Sequence, residues 1–183
     1  NSKALMIISL LGFPIYPSTF FIIGAVLIIG NKKGLRKLKN LCIISWDMEK
    51  PVVCIIGVGA LGSRTAESLG KLGISLILID RDFVEESNLG RQPLYKREDI
   101  GEMKVNAAKK NLNKKDITVH PVDLEFDNID LLKSDLILDC TDNMYTRFLI
   151  NEYTLKTGTP WIYSSALGEK GYVKVFKDNS EGC

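Results

Sequence analysis

The chain has 183 residues, of which 45% are hydrophobic and 25% charged, and its formal net charge is +2. This composition is typical of a globular protein with a buried core, and the length suggests one main domain with an appendage. The positive charge is concentrated in residues 1–47, whereas residues 48–183 are net acidic. Proteins that bind nucleic acids usually present a basic face, so the larger part of the chain gives no electrostatic support for such a partner.

The cysteines are few and far apart, at positions 42, 54, 140 and 183. A small secreted protein held by disulfides would carry a denser pattern, whereas free thiols in a chain of this size fit a reducing cytosol. Cys54 and Cys140 lie in apolar runs, and we expect them to be buried small hydrophobic residues.

Residues 4–30 form an uncharged apolar run that is followed at once by a basic stretch. Such a run can cross a bilayer as a helix, although Pro14 and Pro17 interrupt it and also allow a short re-entrant pair. A basic cluster beside a span marks the cytoplasmic side, which predicts that residues 48–183 are cytoplasmic and tethered to the membrane. Two alternatives stay open: a cleaved signal peptide, disfavoured by the absence of a clear cleavage site, and an upstream stretch joined wrongly to a gene that starts at Met48.

From Pro51 onward, short apolar runs alternate with segments of helical periodicity. Alternating strands and helices predict a mostly parallel sheet with helices on both faces. Gly73 and Gly158 are expected to end two of the helices. In chain order the predicted elements are strand PVVCIIG, helix ALGSRTAESLGKLG, strand SLILID, a helix from about Gly101 to Lys115, strands ITVHPV and SDLILDC, helix NMYTRFLINEYTLKTG, and strands PWIYSSA and GYVKVF.

Gly57, Gly59 and Gly62 form a G-x-G-x-x-G motif between the first of these strands and the first helix. In this context Gly57 allows a tight turn, Gly59 lets a phosphate approach the backbone, and Gly62 allows close packing of the helix on the strand. The N-terminus of the helix offers free N–H groups to an anion. Asp80, at the end of the next strand, suits the hydroxyl groups of a ribose. These residues predict a Rossmann-like, doubly wound nucleotide-binding domain over residues 48–183, and fit a dehydrogenase and an ATP-using enzyme equally well.

The loop after Asp80 distinguishes these two classes of enzyme. Its "SNLGRQ" run places Asn88 and Arg91 where the phosphates are expected. A dinucleotide enzyme has no need of an arginine there, whereas the guanidinium fork suits a triphosphate. Lys104, on the next predicted helix, adds a second positive charge. The "DCTDN" run ends a later strand, where ligands of an open α/β sheet bind, and a carboxylate there is suited to hold Mg²⁺.

Four runs of the sequence resemble the ThiF/MoeB/HesA family, whose members are related to the adenylating domain of ubiquitin-activating enzymes. They are "GVGALGS", "DRDFVEESNLGRQPLY", "IGEMKVNAA" and "DCTDNMYTRFLIN", and the resemblance covers about residues 52–176. It implies an ATP-dependent adenylyltransferase that activates the C-terminal glycine carboxylate of a small β-grasp protein, either ubiquitin-like or a sulfur carrier, and releases pyrophosphate. It also implies a homodimer.

The resemblance assigns roles to residues that match the motifs of the family. The glycine loop and Asp80 are expected to hold the adenosine part of ATP, and Asp142 with Asn143 to organise Mg²⁺. Arg91, Lys104 and Asp142 are the expected catalytic residues. Apart from the resemblance, the place of Asp139 in the sequence favours a structural role in supporting the end of its strand. The full set of expected ATP-binding residues is Gly57, Gly59, Gly62, Asp80, Ser87, Asn88, Arg91, Gln92, Lys104, Asp142 and Asn143.

The end of the chain suggests a metal site that the sequence does not complete. Members of the family often begin a C-x-x-C pair for structural zinc near this point, so Cys183 is a candidate first ligand. Because the chain begins with Asn and stops at Cys183, we expect a fragment, with any catalytic cysteine and further zinc ligands beyond its end.

Other residues and other functions stay open at this point. His120 and Trp161 are expected to be structural and Tyr163 to lie in the core, whereas Arg64 fits either a phosphate contact or surface packing. An NAD(H)-binding oxidoreductase would use the glycine loop and Asp80 but leaves the two later motifs unexplained. The third possibility is an inactive, membrane-tethered nucleotide-binding scaffold.

Overall fold

The computed structural model describes residues 5–8, 42–45, 51–72, 74–167 and 170–176. Strands β1 (Leu5–Ile8) and β2 (Cys42–Ser45) form an antiparallel pair. Four residues of the predicted membrane span therefore form a strand, and the rest of that span lies outside the described residues, as do Gly73 and Cys183. Across the described ranges, no helix is both long and apolar enough to cross a membrane.

The main sheet has six strands in the described part of the chain, in the spatial order β5-β4-β3-β6-β7-β8. Strands β3 to β7 are parallel to their neighbours, and β8 pairs antiparallel with β7. The chain moves outward from β3 to β4 and β5, then crosses to β6 on the other side of β3. Ligands of such sheets bind at the carboxyl ends of the strands beside this reversal. The strands are β3 (Val52–Ile56), β4 (Ser75–Ile79), β5 (Ile117–His120), β6 (Leu136–Asp139), β7 (Trp161–Leu167) and β8 (Lys170–Phe176).

Helices cover both faces of the sheet. Successive strand side chains point to opposite faces, so Val53 and Ile55 enter one core and Cys54 and Ile56 the other. Helices α1 (Ala60–Lys71) and α2 (Lys104–Leu112) contribute to the first core, and α3 (Met144–Thr157) to the second. This arrangement confirms the predicted Rossmann-like, mostly parallel α/β fold.

Local chemistry explains where two of the helices begin and end. The Asn143 side chain accepts the Tyr145 N–H at 2.9 Å and caps α3, and Gly158, with a φ of 72°, ends it. Helix α2 begins at Lys104 rather than near Gly101, so the predicted start was wrong. Gly101 has a φ of 87°, which is not helical. Met103, the residue before α2, forms an antiparallel β-bridge with Phe83.

Candidate active site

A cavity of about 1250 Å³ lies at the carboxyl ends of the central strands. The glycine loop, the loop after β4, the start of α2 and the turn after β6 all contribute to its wall. The predicted site residues that line it are Gly57, Gly59, Asp80, Asn88, Arg91, Gln92, Lys104, Asp142 and Asn143. Gly62 and Ser87 do not line it, nor do His120 and Arg64. The structure thus brings most of the predicted residues together around one space.

The three glycines of the motif differ in how much space an added Cβ atom would find. Gly57 has a φ of 81°, and a Cβ there would lie 2.9 Å from the Cys140 carbonyl oxygen. A Cβ on Gly62 would lie only 1.9 Å from the Gly57 carbonyl oxygen, so this glycine allows the helix to pack on the turn. A Cβ on Gly59 would meet no atom within 4 Å, so the backbone here faces open space.

The N-terminus of α1 is free to bind an anion. No side chain caps it, and the first N–H that bonds back into the turn is that of Ser63, 3.0 Å from the Gly59 carbonyl oxygen. The N–H groups of residues 60–62 make no hydrogen bond with any described residue. Unpaired N–H groups and the helix dipole together favour a phosphate at this position.

Asp80 braces the glycine loop from the end of β4. One carboxylate oxygen accepts the Val58 N–H at 2.6 Å, and the other accepts the Asp82 N–H at 2.8 Å. Burial raises the pKa of Asp80, and these two hydrogen bonds and the charge of Lys104 oppose that rise. Since a carboxylate has about four acceptor positions, both oxygens retain capacity for ribose hydroxyls.

The loop after β4 is shaped by Asn88, whose side chain is buried. Its Oδ1 accepts the Glu85 N–H at 3.1 Å, and its carbonyl oxygen accepts the N–H groups of Arg91 and Gln92 at 3.1 and 3.0 Å. The Ser87 hydroxyl donates to Glu85, and Ser87 does not line the cavity. Asn88 and Ser87 are therefore occupied with the loop itself.

Arg91 and Gln92 both line the cavity, and both carry polar groups without a partner among the described residues. The Arg91 side chain is exposed and makes no ion pair or side-chain hydrogen bond with any described residue. Gln92 is buried, and its Oε1 has no hydrogen-bond partner among those residues. The Arg91 guanidinium is therefore free to contact a ligand, whereas Gln92 Oε1 is enclosed by the protein.

Lys104 is buried at the start of α2 and held by Asp82. Its Nζ lies 2.7 Å from Asp82 Oδ2, and its backbone N–H donates to the Asp82 carbonyl oxygen at 2.8 Å. The Lys104 side chain is 9% exposed, so it is not part of the solvated helix surface. The charge is fixed at the cavity wall near Asp80.

The two aspartates of the "DCTDN" turn have different environments. Asp139 is fully buried and accepts the Thr141 N–H at 2.9 Å, the Thr141 hydroxyl at 2.7 Å and the Arg147 Nε–H at 3.2 Å. Burial raises the pKa of Asp139, while these partners oppose the rise. Asp142 is exposed at the cavity and pairs with no described cation. Asp139 thus holds the turn and Asp142 is free, while Asn143 caps α3.

Arg147 and Tyr163 line the cavity and were not predicted as site residues. The Arg147 Cζ lies 4.6 Å from the centre of the Tyr163 ring, and the guanidinium also donates to the Thr141 carbonyl oxygen. Trp161 is in the core, as predicted, whereas one side of Tyr163 reaches the cavity. Tyr163 lies beside Asp139 on the neighbouring parallel strand, a register that is visible only in the structure.

The donor set suits Mg²⁺ bound together with a triphosphate. In the described ranges no group of three or more His, Cys, Asp or Glu side chains is arranged to hold a metal ion by itself. A nucleotide-bound Mg²⁺ needs only one or two carboxylates, because phosphate and water supply its other ligands. Asp142 meets this requirement. The candidate zinc ligand Cys183 lies outside the described part of the chain.

Comparison with known proteins gives concordant matches. Residues 47–183 match the model of the ThiF family. The chain is 34% identical over 166 residues to the adenylyltransferase and sulfurtransferase UBA4 of Eremothecium gossypii, covering 87% of this chain and 36% of that protein. It is 38% identical over 138 residues to the sulfur carrier protein ThiS adenylyltransferase of Bacillus subtilis, covering 70% and 41%. The chain therefore spans less than half the length of these relatives.

A solved structure also matches. MccB of E. coli, crystallised with ATP, superposes with a TM-score of 0.61 at 25% sequence identity, covering 70% of this chain and 41% of that one.

Proposed function

The chain belongs to the ThiF family, and we propose that it adenylates the C-terminal glycine carboxylate of a small ubiquitin-like or sulfur-carrier protein. The observation that carries this proposal is a single cavity lined by a free helix N-terminus, Arg91, Lys104 and Asp142. The names of the relatives support it, because one is an adenylyltransferase of the sulfur carrier ThiS and the other an adenylyltransferase and sulfurtransferase.

The proposed reaction joins two anions. A carboxylate oxygen of the carrier attacks the α-phosphorus of ATP, the bond from that phosphorus to the β-phosphate bridging oxygen breaks, and pyrophosphate leaves with the electron pair. The product is an acyl-adenylate. The attacking carboxylate is already ionised at neutral pH, so no general base is required. The protein must instead neutralise charge and align the two reactants.

The described side chains suit these tasks. The N–H groups at the start of α1 and the open backbone at Gly59 would bind phosphate oxygens. The unpaired Arg91 guanidinium would contact the phosphates through its fork, and Lys104, fixed by Asp82, would add a point charge. Asp142 would hold Mg²⁺, which when bound neutralises charge on the phosphates and on the leaving pyrophosphate.

We assign a supporting role to residues whose side chains are already engaged. Asn88 shapes the loop that carries Arg91, and Asn143 caps α3, so both act on ATP through the backbone that they order. Asp80 combines a brace for the glycine loop with the ribose contact. Gln92 lines the cavity, but its unpaired Oε1 is buried, so a contact of this atom with the nucleotide would require the side chain to move.

The size of the cavity supports a second substrate. Its volume of about 1250 Å³ is larger than the roughly 300–1,000 Å³ usual for a small-molecule site. The wall continues past the phosphate-binding residues to Ser165 and Tyr172 on β7 and β8. This extension would accept the extended glycine tail of the carrier.

Other parts of the proposal rest on sequence alone. We propose a homodimer from the family resemblance, and a division into residues 1–47 and an adenylation domain over residues 48–183. A zinc site that includes Cys183, a cytoplasmic location and a membrane tether through residues 4–30 stay predictions. Carbonate extraction of the native protein tests the tether, because an integral segment stays in the pellet.

The test of the function is ATP–pyrophosphate exchange with the full-length protein that contains this chain. Exchange should require Mg²⁺ and a carrier with an intact Gly-Gly tail, and a tail-truncated carrier is the control. Absence of exchange with several carriers, despite ATP binding, would favour the inactive scaffold. Binding of NAD instead of ATP would favour the oxidoreductase.

Two substitutions test the assigned charges. Arg91→Ala and Asp142→Ala should each slow adenylation by a factor that corresponds to about 2–4 kcal/mol, by analogy with the loss of an oxyanion donor. Both side chains are exposed, so the melting temperature should change little. Arg97→Ala is the matched control, because Arg97 is exposed and pairs with Glu86 away from the cavity. Normal turnover in either site variant would refute that assignment.

A further inference from the structure

Tyr95 is a buried residue behind the cavity wall that has no role in the proposed chemistry. It is 4% exposed and does not line the cavity. Its hydroxyl donates to the carbonyl oxygen of Val58 at 2.6 Å. Val58 lies between Gly57 and Gly59, so this hydrogen bond reaches the centre of the glycine loop.

The Val58 backbone is held on both sides. Its N–H donates to Asp80 at 2.6 Å, and its carbonyl oxygen accepts the Tyr95 hydroxyl. No other described residue donates a hydrogen bond to that carbonyl oxygen. Fixing both peptide groups of Val58 sets the direction of the backbone that continues through Gly59 into α1.

Tyr95 also belongs to the loop that carries Arg91 and Gln92. Its backbone N–H donates to the Gln92 carbonyl oxygen at 3.1 Å. The preceding residue, Leu94, is anchored by Asn111 of α2, whose side chain donates to its carbonyl oxygen at 2.8 Å. The Tyr95 hydroxyl therefore joins the glycine loop to the loop that carries Arg91 and Gln92, and both loops line the cavity.

We propose that Tyr95 is a positioning residue whose hydroxyl sets the glycine loop and the Arg91–Gln92 loop at the spacing required to bind one polyphosphate. This inference rests on the proposed function, because it takes ATP as the ligand. Burial, assisted by the nearby negative charges of Asp80, Asp99 and Asp82, raises the pKa of Tyr95 well above its usual range. The hydroxyl is consequently protonated, and able to donate this hydrogen bond, at neutral pH.

Tyr95→Phe in the complete chain tests the proposal, because it retains the buried ring and removes one oxygen. The binding of ATP and of adenosine is measured by calorimetry on the wild type and the variant. We expect ATP to bind about tenfold more weakly, which corresponds to about 1.4 kcal/mol, and adenosine to be affected by less than about twofold, because adenosine has no phosphate to span the two loops. Tyr153→Phe is the matched control, because Tyr153 is partly buried on α3 against the opposite core.

The comparison of ATP with adenosine separates positioning from a structural role. Equal weakening of ATP and adenosine, or unchanged ATP binding with only a lower melting temperature, would overturn the proposal. ATP binding by the wild type together with unchanged binding by Tyr95→Phe would leave the proposed function intact. A wild-type chain that binds no ATP would overturn both.

Discussion

Two glycines of the same loop allow folding to be separated from nucleotide binding. Gly59→Ala and Gly62→Ala each add one methyl group, and the positions are three residues apart. The surroundings of the added carbon differ completely, because one position faces the cavity and the other faces the turn. We therefore expect Gly62→Ala to lose stability and Gly59→Ala to lose ATP binding.

Gly62→Ala should reduce the stability of the fold. The new Cβ would lie 1.9 Å from the Gly57 carbonyl oxygen and 2.9 Å from its carbonyl carbon. Both are backbone atoms that cannot rotate away, so the helix and the turn must separate. Overpacking of this kind costs about 1–3 kcal/mol or more, and the better helix propensity of Ala returns at most about 1 kcal/mol. We expect a net loss of about 2 kcal/mol, which lowers the melting temperature by about 4–8 °C.

Gly59→Ala should leave the fold intact but prevent ATP from binding normally. No atom lies within 4 Å of the new Cβ, and the φ of −78° is outside the left-handed region that favours glycine. The loss of a favourable N-cap residue and the reduced freedom of the unfolded chain nearly cancel, so stability should change by less than about 1 kcal/mol. The methyl group, however, occupies the space through which a phosphate would approach the helix N-terminus. We expect at least about tenfold weaker ATP binding.

Thermal denaturation with and without ATP measures both effects. A ligand at 100 times its Kd stabilises the folded state by about 2.7 kcal/mol, so the wild-type melting temperature should rise. Gly59→Ala should have the wild-type melting temperature without ATP. At the same ATP concentration it should lose about half of that rise or more, because tenfold weaker binding leaves a stabilisation of about 1.4 kcal/mol. A full ATP-induced rise in Gly59→Ala would refute the position assigned to the phosphates. A wild-type melting temperature in Gly62→Ala would refute the packing argument.

Three further predictions concern the supporting structure. Arg147→Met leaves Asp139 buried without its cation, so the free energy of unfolding in urea should fall by about 3–5 kcal/mol, and adding Asp139→Asn should restore part of it. Burial raises the pKa of Asp99, but hydrogen bonds, led by the one from Lys110, bring this pKa below the usual 3.8. The ionised Asp99 therefore stabilises the fold at neutral pH. The difference in free energy of unfolding between the wild type and Lys110→Met should be largest near neutral pH and disappear as the pH falls through the lowered pKa. Gly158→Ala forces a side chain into left-handed backbone and should lower the free energy of unfolding by about 1–2 kcal/mol, measured in the same urea experiment.

The sequence predicts the central strands well because they are buried on both faces. Uninterrupted apolar runs such as Val52–Ile56 cannot be surface segments, and the turns that bound them are marked by Gly or Pro. The ends of α3 were predictable from Asn143 and Gly158, which act locally. The start of α2 was not, because the bridge between Phe83 and Met103 joins residues twenty positions apart and leaves no mark in the local periodicity.

The motifs locate the candidate site, but they do not tell which side chains remain available for a ligand. The ion pair of Lys104 with Asp82 lies next to the Phe83–Met103 bridge, after which α2 begins. The internal contacts of Asn88 follow from a tight turn whose geometry the residue types only permit. Arg147 was missed because its partner, Asp139, is eight residues away and both are buried only once α3 packs on the sheet.

The motif residues form two groups: side chains that are free to contact a ligand, and side chains that are already bonded within the protein. Substitutions in the two groups should have different effects. The Arg91 and Asp142 side chains have no ion pair with any described residue, so removing either leaves the loops unchanged and takes away a charge that only the ligand uses. Asn88 is buried and bonded to its own loop, so removing it also leaves the Glu85 N–H unpaired. We expect Asn88→Ala to lower the melting temperature. Arg91→Ala should lower the rate of adenylation and leave the melting temperature unchanged. If both variants lost activity at unchanged stability, Asn88 would contact the nucleotide directly and the division would be wrong.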